Sequence, residues 1–558
     1  MSDPIGDHAY GPHYLRPPSR EELREIAAEY NVTFTGDDED FLYGFVVGLV
    51  ESYRRVSEMT EPKLEVKYPR TPGYRPRPEE NQFNAWYWKT SIKGAPSGKL
   101  AGKRIAVKDN ICVAGVPMSG GSALLDGYIP DIDATIITRI LDAGGEIAGK
   151  AVCEDHSSGL GYNSLTGRVL NPHNTGYATG GSSSGSAALV AAGEVDIAMG
   201  ADQGGSIRIP SSLCGVYGLK PTHGLVPYTG IMGWDHTIDF TGPMGPNVKD
   251  VATLLEAVAG RDELDPRQPS VVPVEAYSQD LSKGVRGLKI GVLREGFEHP
   301  GASEKVVDDA VREAASAFTK LGAKVHEISI PMHLDSTHIY NPIFTEGVAN
   351  HIGRELGIGT GWKGYYNTSL LDAYGRARQA FASNLSDTIK SVIFAGHYTM
   401  TRYYGHYYAK AMNLSRLLTD SYNQALKEVD LLLMPTTPRR ANQHIFKSTR
   451  AELAASGWWW HFNTCAFDMT GHPAMNVPCA KADGLPIGME LVGRHFEDGA
   501  VLRAAHAFES LGLYKGLESQ NNHRNGARPA SRCGRAASRA KKAEPVGSGG
   551  SRRPARRR

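Results

Sequence analysis

The sequence predicts an α/β protein, a mixed central β-sheet covered by helices, with an N-terminal helical unit and a smaller inserted domain. Three observations carry this. Strand-length runs, KRIAVKDN at 103–110 and EIAGK at 146–150, flank a longer helical pattern, ATIITRILDAGG at 134–145, the alternation expected where helices and strands build one sheet. The theme returns in LKIGVLRE at 288–295, SEKVVDDAVREAASAFTKLGA at 303–323 and KVHEISI at 324–330. Finally, 558 residues with 41% hydrophobic content are enough for a large core.

Taken in order, the elements divide the chain into five stretches. Residues 1–85 are a helical unit and linker. Ser19 followed by Glu22 is a capping box, Leu23, Ile26, Ala27 and Tyr30 recur at helical spacing, and Asp37 to Met59 reads as a second helix. The Pro-rich, charged segment 61–80 is an extended linker. Residues 86–287 form the core of the sheet. Residues 288–428, increasingly helical and aromatic from 335, are a smaller inserted unit, and DLLLMP at 430–435 opens the return to the main sheet over 429–515. Residues 516–558 have almost no large apolar side chain and are expected to be a disordered basic tail.

Composition excludes several classes. The formal net charge is +1, yet the stretch from Gly516 onward holds twelve Lys or Arg against two acids. The rest of the chain is therefore mildly acidic and offers no nucleic-acid face. The longest greasy run, FLYGFVVGLV, is too short to span a bilayer, and the N-terminus has no apolar signal region. The six cysteines show no C-x-x-C or Cys/His ligand spacing, and the nineteen histidines include no H-E-x-x-H pair. A cytoplasmic protein with free thiols, no metal and no cofactor is expected.

The most informative stretch is GGSSSGSAALVAAGEVDIAMGADQGGSIRIPSSLCG at 180–215, two Gly/Ser loops separated by a small-residue helix. Such loops could cradle phosphate, but neither has the P-loop lysine, and no G-x-G-x-x-G follows a strand. The stretch resembles the signature of the amidase-signature family, which runs G-G-S-S-G-G-S and then G-[TA]-D-x-G-G-S-I-R-x-P. The 24-residue spacing from Ser182 to Ser206 is the one that likeness requires. Lys108 in IAVKDN is the upstream lysine it implies. The resemblance covers about 95–280 and 430–510. AGKAVCED, GADQGGSIRIP, HGLVPYTG and GRDELDPRQ are most similar to the bacterial enantioselective amidases associated with nitrile hydratases. Two positions depart from the pattern: Ser184 replaces a glycine and Asp468 stands where many relatives have asparagine.

The resemblance implies a catalytic triad of Lys108, Ser182 and Ser206, with a cis peptide between Gly181 and Ser182, and hydrolysis of linear carboxylic amides through an acyl-enzyme. The chemistry also follows from the residues. Ser206 comes after Gly204 and Gly205, so backbone N–H groups of Gln203, Gly204, Gly205 and Ser206 can approach a reacting carbonyl with no Cβ in the way. A serine needs a base, and no histidine lies in a recognisable triad motif. Lys108 serves only if burial lowers its pKa enough to leave a neutral amine, with Ser182 as relay. Asp202 and Arg208 are expected to brace the loop. Cys153, Glu154 and Asp155 read as pocket wall, and Trp458, Trp459 and Trp460 as core and rim around an entrance or interface.

Two other functions remain open at this point. One is the A-type component of a glutamyl/aspartyl-tRNA amidotransferase, the other a non-catalytic binding protein on the same fold. Anilides, carbamates and hydrazides are alternative substrates; small aliphatic and aromatic primary amides are the class the resemblance implies. The expected partners are a small amide substrate and a second copy of the chain in a homodimer, with no membrane and no nucleic acid.

Overall fold

The computed structural model describes residues 15–158, 162–355, 361–444, 449, 451–452 and 457–517. The basic tail read from 516 onward thus lies almost wholly outside the described residues.

Eleven strands form one mixed sheet. They are β1 (Trp86–Lys93), β2 (Arg104–Lys108), β3 (Glu146–Ala151), β4 (Ile197–Asp202), β5 (Tyr217–Lys220), β6 (Phe240–Gly245), β7 (Lys289–Leu293), β8 (Lys324–Ile328), β9 (Leu431–Pro435), β10 (Ala474–Ala482) and β11 (Leu485–Val492). Their order is β1-β3-β2-β4-β6-β5-β10-β11-β9-β7-β8. The pairs β3/β2/β4 and β9/β7/β8 are parallel and the intervening strands antiparallel. The central strands β4, β6, β9 and β11 are buried along their whole length. Such strands, covered on both faces, read as continuous apolar or small-residue runs, not as an alternation.

The helices predicted at 134–145, between the two Gly/Ser loops and at 303–323 are present, and others that were not predicted stand beside them. α3 (Thr135–Asp142) buries Ile136, Ile137, Ile140 and Leu141. α4 (Ser184–Ala191) and α5 (Arg208–Cys214) follow the two Gly/Ser loops, and α6 (Val248–Val258) buries Val251, Leu254, Leu255 and Val258. After a short α7 (Tyr277–Asp280), α8 (Lys305–Ala317) packs Val307, Val311 and Ala314 at spacings of three and four. Beyond β8 the chain turns helical through α9 (Ser336–Val348), a π turn at Ala349–Arg354, α10 (Thr368–Phe381), α11 (Asp387–Tyr403) and α12 (His406–Glu428). Within the stretch read from sequence as an inserted unit, β7 and β8 hydrogen-bond into the main sheet beside β9.

At the N-terminus, α1 (Arg20–Glu29) has its capping box: Glu22 N–H donates to Ser19 Oγ at 3.1 Å and Ser19 N–H to Glu22 Oε2 at 2.6 Å. α2 (Asp38–Glu58) follows and buries none of its residues. The extended linker is clipped to the core by Lys63–Asp131 (2.5 Å), Lys67–Asp142 (2.6 Å) and Arg70–Asp133. No helix among the described residues is long and apolar enough to cross a membrane.

Candidate active site

Parallel pairing of β2 with β4 sets Val107 opposite Met199, so the two strands end side by side with Lys108 close to Ala201. The Lys108 ammonium or amine, fully buried, lies 2.7 Å from Ser182 Oγ and donates to the Ala201 carbonyl at 3.2 Å. Burial lowers its pKa to about 8, against the opposing pull of Cys153, Asp202, Glu154 and Asp239. Ser182 is reached through the cis Gly181–Ser182 peptide, and its carbonyl accepts from Glu154 N–H at 3.3 Å.

The two serine loops are joined directly. Ser183 N–H donates to the Ser206 carbonyl at 3.2 Å, and Ser183 Oγ both donates to Ala201 O (3.0 Å) and accepts from Ala201 N–H (3.2 Å). Exposure rises from Lys108 at 0% through Ser182 at 3% to Ser206 at 8%. Of the three, Ser206 is thus the most exposed. Ser184, the departure from the family's glycine, opens α4 as its first residue and is not among the residues of positive φ. Its backbone therefore has no need of glycine.

The loop before Ser206 needs both of its glycines. Gly205 has φ +130°, in the region side chains avoid, and a Cβ on Gly204 would stand 2.5 Å from the Tyr340 hydroxyl. The carbonyls of this loop are pinned from elsewhere in the chain: Tyr340 Oη donates to Gln203 O at 3.0 Å and Thr464 Oγ1 to Gly204 O at 2.6 Å. The Gln203 side chain donates to Tyr228 Oη at 2.8 Å. Gly205 N–H is taken by Asp202 Oδ1 at 2.5 Å.

Asp202 and Arg208 lie where the sequence placed them and anchor more than expected. Asp202 also accepts from Ile207 N–H (2.9 Å) and from Arg208 Nε and Nη2 (both 3.0 Å). Arg208 in turn donates to Asp468 (2.7 Å), Glu490 (2.7 Å) and the Thr464 carbonyl (2.8 Å). All four charged side chains are fully buried. Ionising three carboxylates around one guanidinium in so dry a place is unfavourable. Burial raises Asp468 well above the carboxylate range, helped by neighbouring Asp202, and lifts Glu490 to about 7. Asp202, although burial pushes it upward, is held below the usual range by Arg208. The raised proton affinity favours the neutral form of Asp468, which is uncharged as an asparagine is.

Around the site, Glu154 packs its side chain against Gly181, and burial pushes the Cys153 thiol up. Asp155 pairs with His156 at 2.6 Å and accepts from Ser386 N–H at 2.6 Å. Trp460 is buried with Ile209 and Leu213, and Trp459 is half-buried. The Trp458 side chain lies outside the described residues. Sequence reasoning assigned no role to Tyr228, Tyr340, Thr464 or Glu490; Tyr228 lies within HGLVPYTG and Glu490 within the stretch resembling the closing strands, but each reaches the site only through the fold.

The sequence profile described as Amidase matches residues 74–502. The chain belongs to the amidase family. It is an amide hydrolase with the amidase-signature fold. It is 43% identical over 469 residues to an enantioselective amidase of Rhodococcus rhodochrous, covering 82% of this chain and 89% of that protein. It is 36% identical over 417 residues to the A-type component of the glutamyl-tRNA(Gln) amidotransferase of Methanosarcina acetivorans, covering 74% and 85%. Among solved structures, the native peptide amidase from Stenotrophomonas maltophilia superposes with a TM-score of 0.63 at 27% identity, covering 76% of this amidase and 85% of that chain.

Proposed function

We propose that this amidase cleaves carboxylic amides by an acyl-enzyme route in which Ser206 is the nucleophile, Ser182 the relay and Lys108 the base. The observation that carries the reading is the buried Lys108 amine 2.7 Å from Ser182 Oγ. In its neutral form this amine directs one N–H at Ala201 O and leaves its lone pair for the Ser182 hydroxyl proton. Ser206 Oγ attacks the carbonyl carbon while its proton passes through Ser182 to Lys108. The oxyanion is held by the N–H groups of Gln203, Gly204 and Ser206; Gly205 N–H, engaged by Asp202, instead fixes the loop. Such preorganised donors are worth about 3 kcal/mol each in the transition state. The proton then returns to the leaving nitrogen, ammonia departs, and water deprotonated through the same relay hydrolyses the acyl-serine to the carboxylate.

The substrates proposed are small aliphatic and aromatic primary amides, with a cytoplasmic location. The proposed assembly is a homodimer with α2 at its interface: Phe41, Phe45, Leu49, Tyr53 and Val56 are exposed on this helix at spacings of three and four, an apolar stripe of the kind that marks an interface. The purified chain, alone, is expected to release ammonia from such amides, and mass spectrometry after fluorophosphonate treatment to find the label on Ser206. Label on Ser182 overturns the mechanism. Ammonia release only with a second, different protein present favours the amidotransferase role instead.

A further inference from the structure

A peptide unit is a rigid plane whose N–H points opposite to its C=O, so whatever holds a carbonyl also aims the N–H of the next residue. Two neighbouring units of the nucleophile loop are held differently. The unit from Gly204 to Gly205 is gripped at both ends: Thr464 Oγ1 donates to Gly204 O at 2.6 Å, and Gly205 N–H donates to Asp202 Oδ1 at 2.5 Å. The unit from Gln203 to Gly204 is gripped at its carbonyl, by Tyr340 Oη at 3.0 Å. At its other end Gly204 N–H donates to no hydrogen bond among the described residues.

The side chain that grips this unit is itself fixed. Tyr340 is 4% exposed, and its ring stacks on Phe344, one turn further along α9, with centroids 5.5 Å apart and planes 9° from parallel. Burial raises its phenol well above the ordinary value, so the hydroxyl keeps the proton it donates. A Cβ on Gly204 would stand 2.5 Å from that hydroxyl, so a glycine at 204 is what lets Tyr340 approach the neighbouring carbonyl. The helical stretch after β8 thus reaches the reacting end of the loop through one phenol.

We infer that Tyr340 is a positioning residue of the amidase reaction, a role that rests on the mechanism proposed above. By donating to Gln203 O it turns the Gln203–Gly204 peptide so that Gly204 N–H meets the oxyanion forming on the carbonyl that Ser206 attacks. Without the phenol this N–H has to be oriented during the reaction, and a donor's value to catalysis lies in being oriented beforehand. Because the charge on that oxygen develops only in the transition state, the loss falls on kcat and not on KM.

The test is steady-state kinetics of the full chain carrying Tyr340→Phe, which keeps the stacked ring and removes only the hydroxyl. With benzamide, kcat is expected to fall at least about tenfold, short of the hundredfold or more that loss of a whole oxyanion donor costs, while KM stays within about twofold. Phenyl trifluoromethyl ketone, whose carbonyl becomes an oxyanion when a serine adds to it, is expected to inhibit more weakly by the same factor as the fall in kcat/KM. Thr464→Val removes the hydroxyl from the unit that Asp202 still holds, and is expected to lower kcat less than Tyr340→Phe does. An unchanged kcat in Tyr340→Phe, a loss carried by KM, undiminished inhibition by the ketone, or an equal or larger loss of kcat in Thr464→Val overturns the inference. If Tyr340→Phe does not fold, Phe344→Leu decides: it leaves the hydroxyl but removes the ring that steadies it, and is expected to show a smaller fall in kcat at the same KM. A parent-like kcat there is equally fatal. Ser206→Ala, assayed alongside, tells the two readings apart. Full activity in it removes the mechanism, whereas an inactive Ser206→Ala beside a parent-like Tyr340→Phe removes only the role of Tyr340.

Discussion

Two helices of this amidase show how little an apolar sequence says by itself about burial. α4 has eight residues, seven of them buried, and almost no side chain beyond Ser, Ala, Leu and Val. α2 has twenty-one residues, among them two Phe, two Tyr, two Leu and four Val, and buries none. The difference lies in what each helix faces. α4 starts at the relay loop and packs on β4 and on α5, so its small residues let the backbone approach the sheet and hold Ser182 against Lys108. α2 has its stripe of Phe41, Phe45, Leu49, Tyr53 and Val56 turned to solvent. One region is covered within the chain; the other leaves its apolar stripe uncovered by the described residues.

The contrast breaks hardest at the triad. Ser206→Ala is expected to reduce kcat by about 10⁴-fold or more and Lys108→Ala by nearly as much. Ser182→Ala is expected to cost about a hundredfold, since water can stand in for the relay oxygen. The double variant Lys108→Ala with Ser182→Ala should lose far less than the product of the single losses, because the residues act as one unit. Steady-state assays check all four; full activity in Ser206→Ala refutes the assignment.

The support under that region is the next to give. Arg208→Met leaves Asp202 buried without its cation and is expected to destabilise the fold by about 3–5 kcal/mol, read as a lower denaturation midpoint. Asp468→Asn, which keeps an acceptor for Arg208 and removes a carboxyl whose proton affinity burial raises, should leave the midpoint within about 0.5 kcal/mol of the parent. A large loss in Asp468→Asn shows that the acid is ionised.

Solvent pH acts on the same buried wall more gently. Because the base must be neutral and burial sets Lys108 near 8, kcat/KM should rise about tenfold per pH unit below that value and level off above it. An activity that is flat between pH 6 and about 9 argues against Lys108 as the base. The smallest effect on turnover belongs to α2. Phe41→Ser with Phe45→Ser should shift the protein from dimer to monomer by sedimentation while kcat changes less than about twofold, a surface change far from the chemistry. A monomeric parent removes the proposed role of this helix.

Much of the site was legible in the sequence because its chemistry is local. Gly204, Gly205 and Ser206 are consecutive, and the spacing from Ser182 follows from one loop, one short helix and one strand. The capping box of Ser19 and Glu22 was legible for the same reason, being complete within one turn. The three-carboxylate surround of Arg208 was not: Asp468 and Glu490 lie 260 and 282 residues away, and nothing in their own neighbourhoods marks them as partners of a guanidinium.

By itself, then, the sequence determined the backbone freedom at Gly205, the strand–helix–strand alternation at 103–150 and 288–330, and the presence of two serines and a lysine suited to one relay, since these depend on neighbours along the chain. Only the tertiary structure decided that Lys108 would be a base candidate and not a surface charge. That required β2 to lie beside β4 in the interior of an eleven-stranded sheet, where loss of water lowers the amine's affinity for its proton. It also decided that Tyr340 and Thr464 would hold the carbonyls of Gln203 and Gly204, because hydrogen bonds between segments more than a hundred residues apart exist only once packing has brought the segments together.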